Sequence, residues 1–360
     1  MNINFENQQT VCRTLFSEEI ILLINHKGVT FLKAKSIKLY EFGSPREVLK
    51  FENKTIQPPR EQDILVRMLA RPINPSDLIP IWGKYAHRIS LPTIPGYEGV
   101  GVVEDVGPYV SQNLIGKRVL PLRGEGTWQE IVKTSAEFAV SIPNSIDDFT
   151  AAQMYINPMT AWVTCTDILQ LQPKDVLLVN ACGSAIGHIF AQLAKLLGFQ
   201  LIAVTRNNRH TDDLIQLGAS YVIDTSVTPL YETVMELTNG RGADAAIDSI
   251  GGTAGNDLAF CLKSGGNFLA IGLLSGVQVN WQRIVKEANV KANMFHLRHW
   301  NKQVSVERWQ GTFHHLINLV NSGKLKMMAV DSHYDLLDIK NAITAVESSK
   351  TTKGKIFLTS

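Results

Sequence analysis

The stretch from Val176 to Thr205 constrains the fold of this chain more than any other. An apolar run, Val176-Leu-Leu-Val179, leads into a turn of mostly small residues, Asn180-Ala-Cys-Gly-Ser-Ala-Ile-Gly187; a helical pattern from Ile189 to Leu197 and a second apolar run, Leu201 to Thr205, follow. Strand, turn, helix and strand in that order imply a parallel sheet covered on both faces. Small residues in the turn let the backbone approach a pyrophosphate, whose charge then rests at a helix N-terminus where free N–H groups point at it. On this reading Asn180, Ala181, Gly183, Ser184, Ala185, Ile186 and Gly187 contact a dinucleotide. Ribose selectivity is set about twenty residues further on, where an acidic side chain would point to NAD. This chain instead has Thr205-Arg206-Asn207-Asn208-Arg209-His210. Arg206, Asn207 and Arg209 suit a 2′-phosphate held by charge-assisted hydrogen bonds, so the expected cofactor is NADPH. A tight turn without a nucleotide is the alternative for the turn taken alone.

A chain of 360 residues exceeds what one core usually holds, so two domains are expected. Its net charge of +2 gives no basic surface for nucleic acid or membrane, which leaves small molecules as partners. Cys12, Cys165, Cys182 and Cys261 are widely spaced, with no Cys-x-x-Cys pair, which fits a reducing, cytoplasmic setting and no local zinc cluster. No apolar run reaches the ~18 residues of a membrane-spanning helix. Ile20-Ile-Leu-Leu-Ile24 follows Glu18-Glu19 and precedes no small-residue cleavage site, so residues 1–34 read as an extension dispensable for folding. The first confident strand is Ile37 to Phe42.

From Ser36 to Pro143 short strands alternate with Gly and Pro punctuation, the texture of a β-rich domain. From Thr150 helices alternate with strands near Val176, Leu201, Tyr221, Ala245 and Phe268, the pattern of a doubly wound sheet. After Gly272 the chain is expected to leave that sheet. Later come helices around Trp309 to Val320 and Asp338 to Val346, and a returning strand at Lys355-Ile-Phe-Leu358.

Several motifs occur in a telling order: Asn74-Pro-Ser-Asp77, Pro95-Gly-Tyr-Glu-Gly99, Gly126-Thr-Trp-Gln-Glu130, Asn157-Pro-Met-Thr-Ala161 and the turn at Asn180. With them the chain resembles the medium-chain dehydrogenase/reductase superfamily from Ser36 onward. The resemblance implies an α/β fold. A GroES-like β-rich catalytic domain would take residues 35–156 and 299–360, a Rossmann domain would take 157–298, and the active site would lie in the cleft between them. Zinc alcohol dehydrogenases of this superfamily carry a Cys near Pro75 or Ser76 and a His at the place of Tyr97; both ligands are missing, so no metal is expected. The zinc-free quinone oxidoreductases and the enoyl-thioester reductases, similar to the mitochondrial 2-enoyl reductase, remain. The turn beginning at Asn180 is one residue longer than the quinone type, and Gly83-Lys-Tyr85 matches the Gly-Asn-Tyr of the enoyl reductases; both favour the thioester side. Ala185, where Gly is common, and His296, at the place of an active-site Trp, depart from that pattern.

The expected activity is NADPH-dependent reduction of an activated C=C bond, most simply a 2-enoyl thioester. The Tyr85 phenol would give a proton or hydrogen bond, and Asn74 would orient the nicotinamide amide or substrate. For each, a structural role as pocket wall or turn residue stands beside the catalytic one. The resemblance extends the cofactor contacts to Thr160, Gly272, Leu273, Phe295, Leu297 and Lys355. His87, Arg88, His296, Arg298 and His299 would either gather at the cleft and attract an anionic carrier or face water as scattered charges. Trp128 reads as core, and Asp77 and Glu98 as structural or as hydrogen-bond partners of the cleft. A homodimer is expected. NADPH:quinone reduction is the second reading and a non-catalytic dinucleotide sensor the third.

Overall fold

The computed structural model describes residues 23–24, 30–348 and 354–360. β1 (Leu23–Ile24), β2 (Thr30–Leu39) and β3 (Leu49–Ile56) form a small antiparallel sheet. The strand expected from Ile37 therefore starts at Thr30 and ends at Leu39. Its ladder with β3 runs from Leu32 opposite Ile56 to Leu39 opposite Leu49, so residues 30–34 belong to paired strand and not to a loose extension. Lys33 and Lys35 flank the buried Ala34, too little apolar alternation to announce a strand without its partner. Apart from β1, residues 1–29 lie outside the described residues.

A second, antiparallel layer is made by β4 (Asp63–Pro72), β5 (Val100–Val106), β6 (Arg118–Pro121), β7 (Ile131–Ser135) and β8 (Ala139–Ser141). The chain then builds the parallel sheet of β9 (Val176–Val179), β10 (Gln200–Thr205), β11 (Tyr221–Asp224), β12 (Ala243–Asp248), β13 (Leu262–Ala270) and β14 (Lys291–Met294), in the spatial order 11-10-9-12-13-14. All four residues of β9 are buried, as the central strand of a sheet covered on both faces requires. β14 corrects one expectation: after Gly272 the chain comes back and adds a sixth strand, with Asn267 opposite Lys291 and Ala270 opposite Met294. Lys-Ala-Asn-Met at a sheet edge pairs through its backbone alone, so no apolar run marks it. Finally β15 (Val330–Asp335) and β16 (Lys355–Thr359) return to the antiparallel layer of β4–β8, β16 pairing antiparallel with β4.

The antiparallel layer thus takes strands from both parts of the chain, and the strands of the parallel sheet lie between them in sequence. One apolar cluster joins the two. It contains Ala70, Leu120 and Phe357 from the first, Leu177 and Phe190 from the second, and Trp309 and Phe313 of the helix Val306–Asn321. Trp128 is fully buried beside Ile37, Leu39 and Leu358, the core position expected of it. No helix among the described residues is long and apolar enough to cross a membrane.

Candidate active site

The parallel sheet reverses its winding between β9 and β12, and a doubly wound sheet opens a crevice at the carboxyl ends of such strands. Asn180 ties that point together: its amide donates to Asp248 Oδ1 (2.6 Å) and its carbonyl accepts from Ser249 N (2.8 Å). Its side chain is thereby spent inside the protein. The turn continues through Ala181 at φ +53° to Ser184, which caps the helix Ala185–Leu197 by accepting from Gly187 N. A Cβ on Gly187 would sit 2.2 Å from the Cys182 carbonyl oxygen, and one on Gly183 would sit 2.6 Å from the His210 ring. Both positions tolerate only glycine without a shift of the turn. Ser184, Ala185 and Ile186, at the helix N-terminus, line a cleft of about 850 Å³. Asn180, Ala181, Gly183 and Gly187 shape this cradle from behind and are not among its lining residues.

Thr160 lines the same cleft from the helix Ile156–Val163; Gly272, Leu273, Phe295, Leu297 and Lys355 line it from the segments after β13 and β14 and from β16. Tyr85 and Asn74 line it from the β-rich side. Arg206, Asn207 and Arg209 do not reach it. They follow the end of β10, next to the turn, where Cys182 N donates to Val204 O (3.2 Å). Asn207 accepts from Arg209 N (3.2 Å) and Arg206 is exposed. The cationic run therefore stands outside the turn, with the His210 ring against Gly183.

Tyr85 begins the short turn Ala86–Arg88 and carries the Arg88 guanidinium 3.7 Å above its ring, while His296 meets it edge-on at 6.2 Å. Its hydroxyl has no hydrogen-bond partner among the described residues. Arg88, His296 and Arg298 all line the cleft, and His299 packs on His296 at 5.4 Å; His87 is exposed and outside the lining. Burial, then the nearby Arg88, hold the His296 imidazole below its ordinary value.

The floor holds a polar cluster that no local pattern announces. Asn74 Nδ2 donates to Glu98 Oε1 (2.7 Å), and the other Glu98 oxygen accepts from Tyr155 N (3.2 Å) and Ile156 N (2.7 Å). Asn74 Oδ1 accepts from Lys355 Nζ and, at 3.4 Å, from Asn157. Asp77 accepts from Asn74 N (2.7 Å) and Tyr97 N (3.1 Å). Asn74, Asp77, Glu98 and Lys355 are buried, and Asn157 is half-buried. Burial lifts the Asp77 carboxyl to about 7 and the Glu98 carboxyl in the same direction, while burial lowers the Lys355 ammonium against the pull of Glu98. Asn157 and the Glu98 link were missed by sequence reasoning, because they join positions far apart in the chain.

An enoyl-[acyl-carrier-protein] reductase, mitochondrial, of Xenopus tropicalis is 32% identical to this chain over 314 residues, 84% of the chain and 89% of the relative. The chain belongs to the medium-chain dehydrogenase/reductase superfamily. Two models of the superfamily's domains match within it, the alcohol dehydrogenase GroES-like domain at residues 60–144 and the zinc-binding dehydrogenase domain at 185–315. Among solved superfamily structures, one from Bacillus thuringiensis, provisionally named an NADPH:quinone reductase, shares 68% identity with a TM-score of 0.90 and covers 91% of this chain and 99% of its own. Escherichia coli quinone oxidoreductase complexed with NADPH shares 26% identity, with a TM-score of 0.83, over 91% of this chain and 100% of its own. Despite the second domain model's description, no group of three or more His, Cys, Asp or Glu among the described residues could hold a metal.

Proposed function

We propose that this protein, an NADPH-dependent reductase of the superfamily, reduces the C=C bond of a 2-enoyl thioester without a metal. The Tyr85 hydroxyl carries this reading: it lines the cleft and no group among the described residues uses it. The residues fit NADPH. Ser184, Ala185 and Ile186 offer the cleft a helix N-terminus, the glycines let the backbone come close, and Arg206, Asn207 and Arg209 supply charge and donors for the 2′-phosphate. When bound, NADPH supplies the hydride.

In the balanced reaction the β-carbon gains a hydride, the C=C π pair moves toward the thioester oxygen, and a proton at the α-carbon restores the carbonyl. Tyr85 gives that proton or orients the water that does, and Leu273, Phe295 and Leu297 keep the reacting face apolar. Arg88, His296 and Arg298 draw an anionic acyl carrier to the mouth. A quinone is the second substrate reading, supported by the description of the Bacillus thuringiensis structure. Oxidation of NADPH measured side by side with crotonyl-CoA and a benzoquinone tests the choice. Faster turnover per KM of the thioester is expected, and quinone-only activity would overturn it.

A homodimer joined edge to edge through β14 completes the proposal, since Lys291, Asn293 and Met294 are exposed on that edge strand. The free thiols of Cys165, Cys182 and Cys261 suit a reducing, cytoplasmic location.

A further inference from the structure

His210 stands where the cationic run after β10 meets the cofactor turn, its ring so close to Gly183 that a Cβ there would sit 2.6 Å from it. The His188 ring, from the helix Ala185–Leu197, meets the His210 ring edge-on at 5.6 Å. His188 Nε2 is buried and has no hydrogen-bond partner among the described residues. A buried ring nitrogen in that state costs free energy that a donor turned toward it gives back. Burial, then the neighbouring His210, hold the His188 imidazole below its ordinary value, while Asp213 pulls the other way. His188 therefore stays neutral and keeps one nitrogen as an acceptor. Flanking His210 in the chain are Arg206 and Arg209 of the exposed run, and Asp212 and Asp213 in the first turn of the helix Thr211–Leu217.

A neutral imidazole offers one N–H and an imidazolium offers two. On His210 one of the two can serve an incoming anion, and the other needs a buried acceptor, which His188 Nε2 supplies after a small rotation of either ring. The cofactor defines the anion: ribose selectivity is set at the end of β10, and there NADPH carries a phosphate that NADH lacks.

We propose that His210, braced by His188, binds the 2′-phosphate of NADPH by taking a proton from solvent as the cofactor docks, so that the preference for NADPH over NADH is itself pH-dependent. This rests on the cofactor half of the reductase reading and is indifferent to the substrate. By linkage, the phosphate raises the proton affinity of the imidazole pair. The extra affinity is fully present below the pair's titration in the free protein and is lost as pH rises through its titration in the complex. A rise of one unit corresponds to about tenfold in affinity. The second proton of the phosphate, with a pKa of about 6, opposes this only at the acid end of the range. Arg206 and Arg209 stay charged throughout and supply the part of the selectivity that does not change with pH.

The test is binding without turnover. Affinities for NADPH and NADH are read by fluorescence titration from about pH 6.5 to about pH 8.5, and proton uptake by calorimetry near pH 7 in two buffers of different ionisation enthalpy. In the parent, NADPH affinity should fall at least about threefold across that range, NADH affinity should stay level, and NADPH alone should draw a proton from the buffer. His210→Phe keeps a ring against Gly183 and cannot take a proton; it should abolish the uptake and weaken NADPH binding at the acid end by at least about threefold. His210→Lys, charged throughout, should keep tight binding and lose the pH dependence. His188→Phe, which leaves the second N–H without an acceptor, should reduce the uptake. NADPH affinity level with pH in the parent, equal uptake with NADPH and NADH, or full uptake in either Phe variant would overturn the proposal. If the parent binds neither nucleotide, the reductase reading falls and the proposal with it; if it binds NADPH without a pH dependence, the reading stands and the proposal alone falls. Should His210→Phe not fold, the parent's NADPH-specific uptake and its loss in His210→Lys decide the matter.

Discussion

Replacing Tyr85 by Phe removes one oxygen from the cleft and leaves the ring. The Arg88 guanidinium keeps its face contact at 3.7 Å and His296 its edge contact at 6.2 Å. Because nothing among the described residues bonds to the hydroxyl, its loss strands none of their donors or acceptors, and folding stability should change by no more than about 0.5 kcal/mol. Catalysis should not be so tolerant. A positioned acid contributes about 100-fold or more, so kcat with crotonyl-CoA should fall by that factor, about 2.7 kcal/mol in the barrier. A quinone anion collects its proton from water, so quinone turnover should stay within about threefold, well inside the ~1.4 kcal/mol that marks a tenfold change. The assay is steady-state kcat with each substrate, with NADPH affinity and melting temperature as controls for binding and folding. Parent-like reduction of crotonyl-CoA by Tyr85→Phe would show the phenol to be a wall of the pocket and would remove the main chemical support for a thioester substrate.

Arg206→Glu should turn a preference for NADPH over NADH of at least about tenfold, about 1.4 kcal/mol, into a preference for NADH; equal affinities in the parent would refute the role of the run after β10. A chain starting at Thr30 gives up only the two β1 pairs and should melt close to the parent, whereas one starting at Lys35 also loses the ladder positions Leu32, Lys33 and Ala34 and should melt lower still. At roughly 1 kcal/mol for each backbone hydrogen bond given up, the difference should be measurable, and identical melting curves would count against the pairing. Asp77 titrates at about 7 in the folded protein against 3.8 as the ordinary value, so the folded state holds a proton that the unfolded chain has released. Its contribution to stability is full below about 3.8 and is lost as pH rises through about 7. Asp77→Asn should flatten the fall in melting temperature across that window; an unchanged slope would refute the burial argument.

The centre of the parallel sheet was legible because β9, β10 and β12 are apolar on both faces, and sidedness of that kind is written in consecutive residues. β14 and β15 were not, since edge strands made of Lys, Asn, Asp and Ser are held by backbone pairing that leaves no apolar period. The cradle at Ser184 could be read from small residues beside a strand and a helix. Its neighbour Asn180 was read as a cofactor contact, yet its amide braces β9 to β12, a partnership decided by a residue 68 positions away. The floor of the cleft was legible in its members, Asn74, Asp77, Glu98 and Lys355, and illegible in its wiring. The bond from Lys355 to Asn74 spans 281 positions, and only the return of β16 beside β4 brings the two together.

Glu98 shares its two oxygens between Asn74, in the β-rich unit, and the first N–H groups of the helix that carries Thr160. Prising those two parts of the chain apart would leave a buried carboxylate without either set of donors, a cost of several kcal/mol that thermal motion seldom meets. The deep end of the cleft is therefore a fulcrum. Whatever breathing admits a substrate must swing at the other end, where Arg88, Arg298 and Lys302 stand at the open rim and give up little when they part.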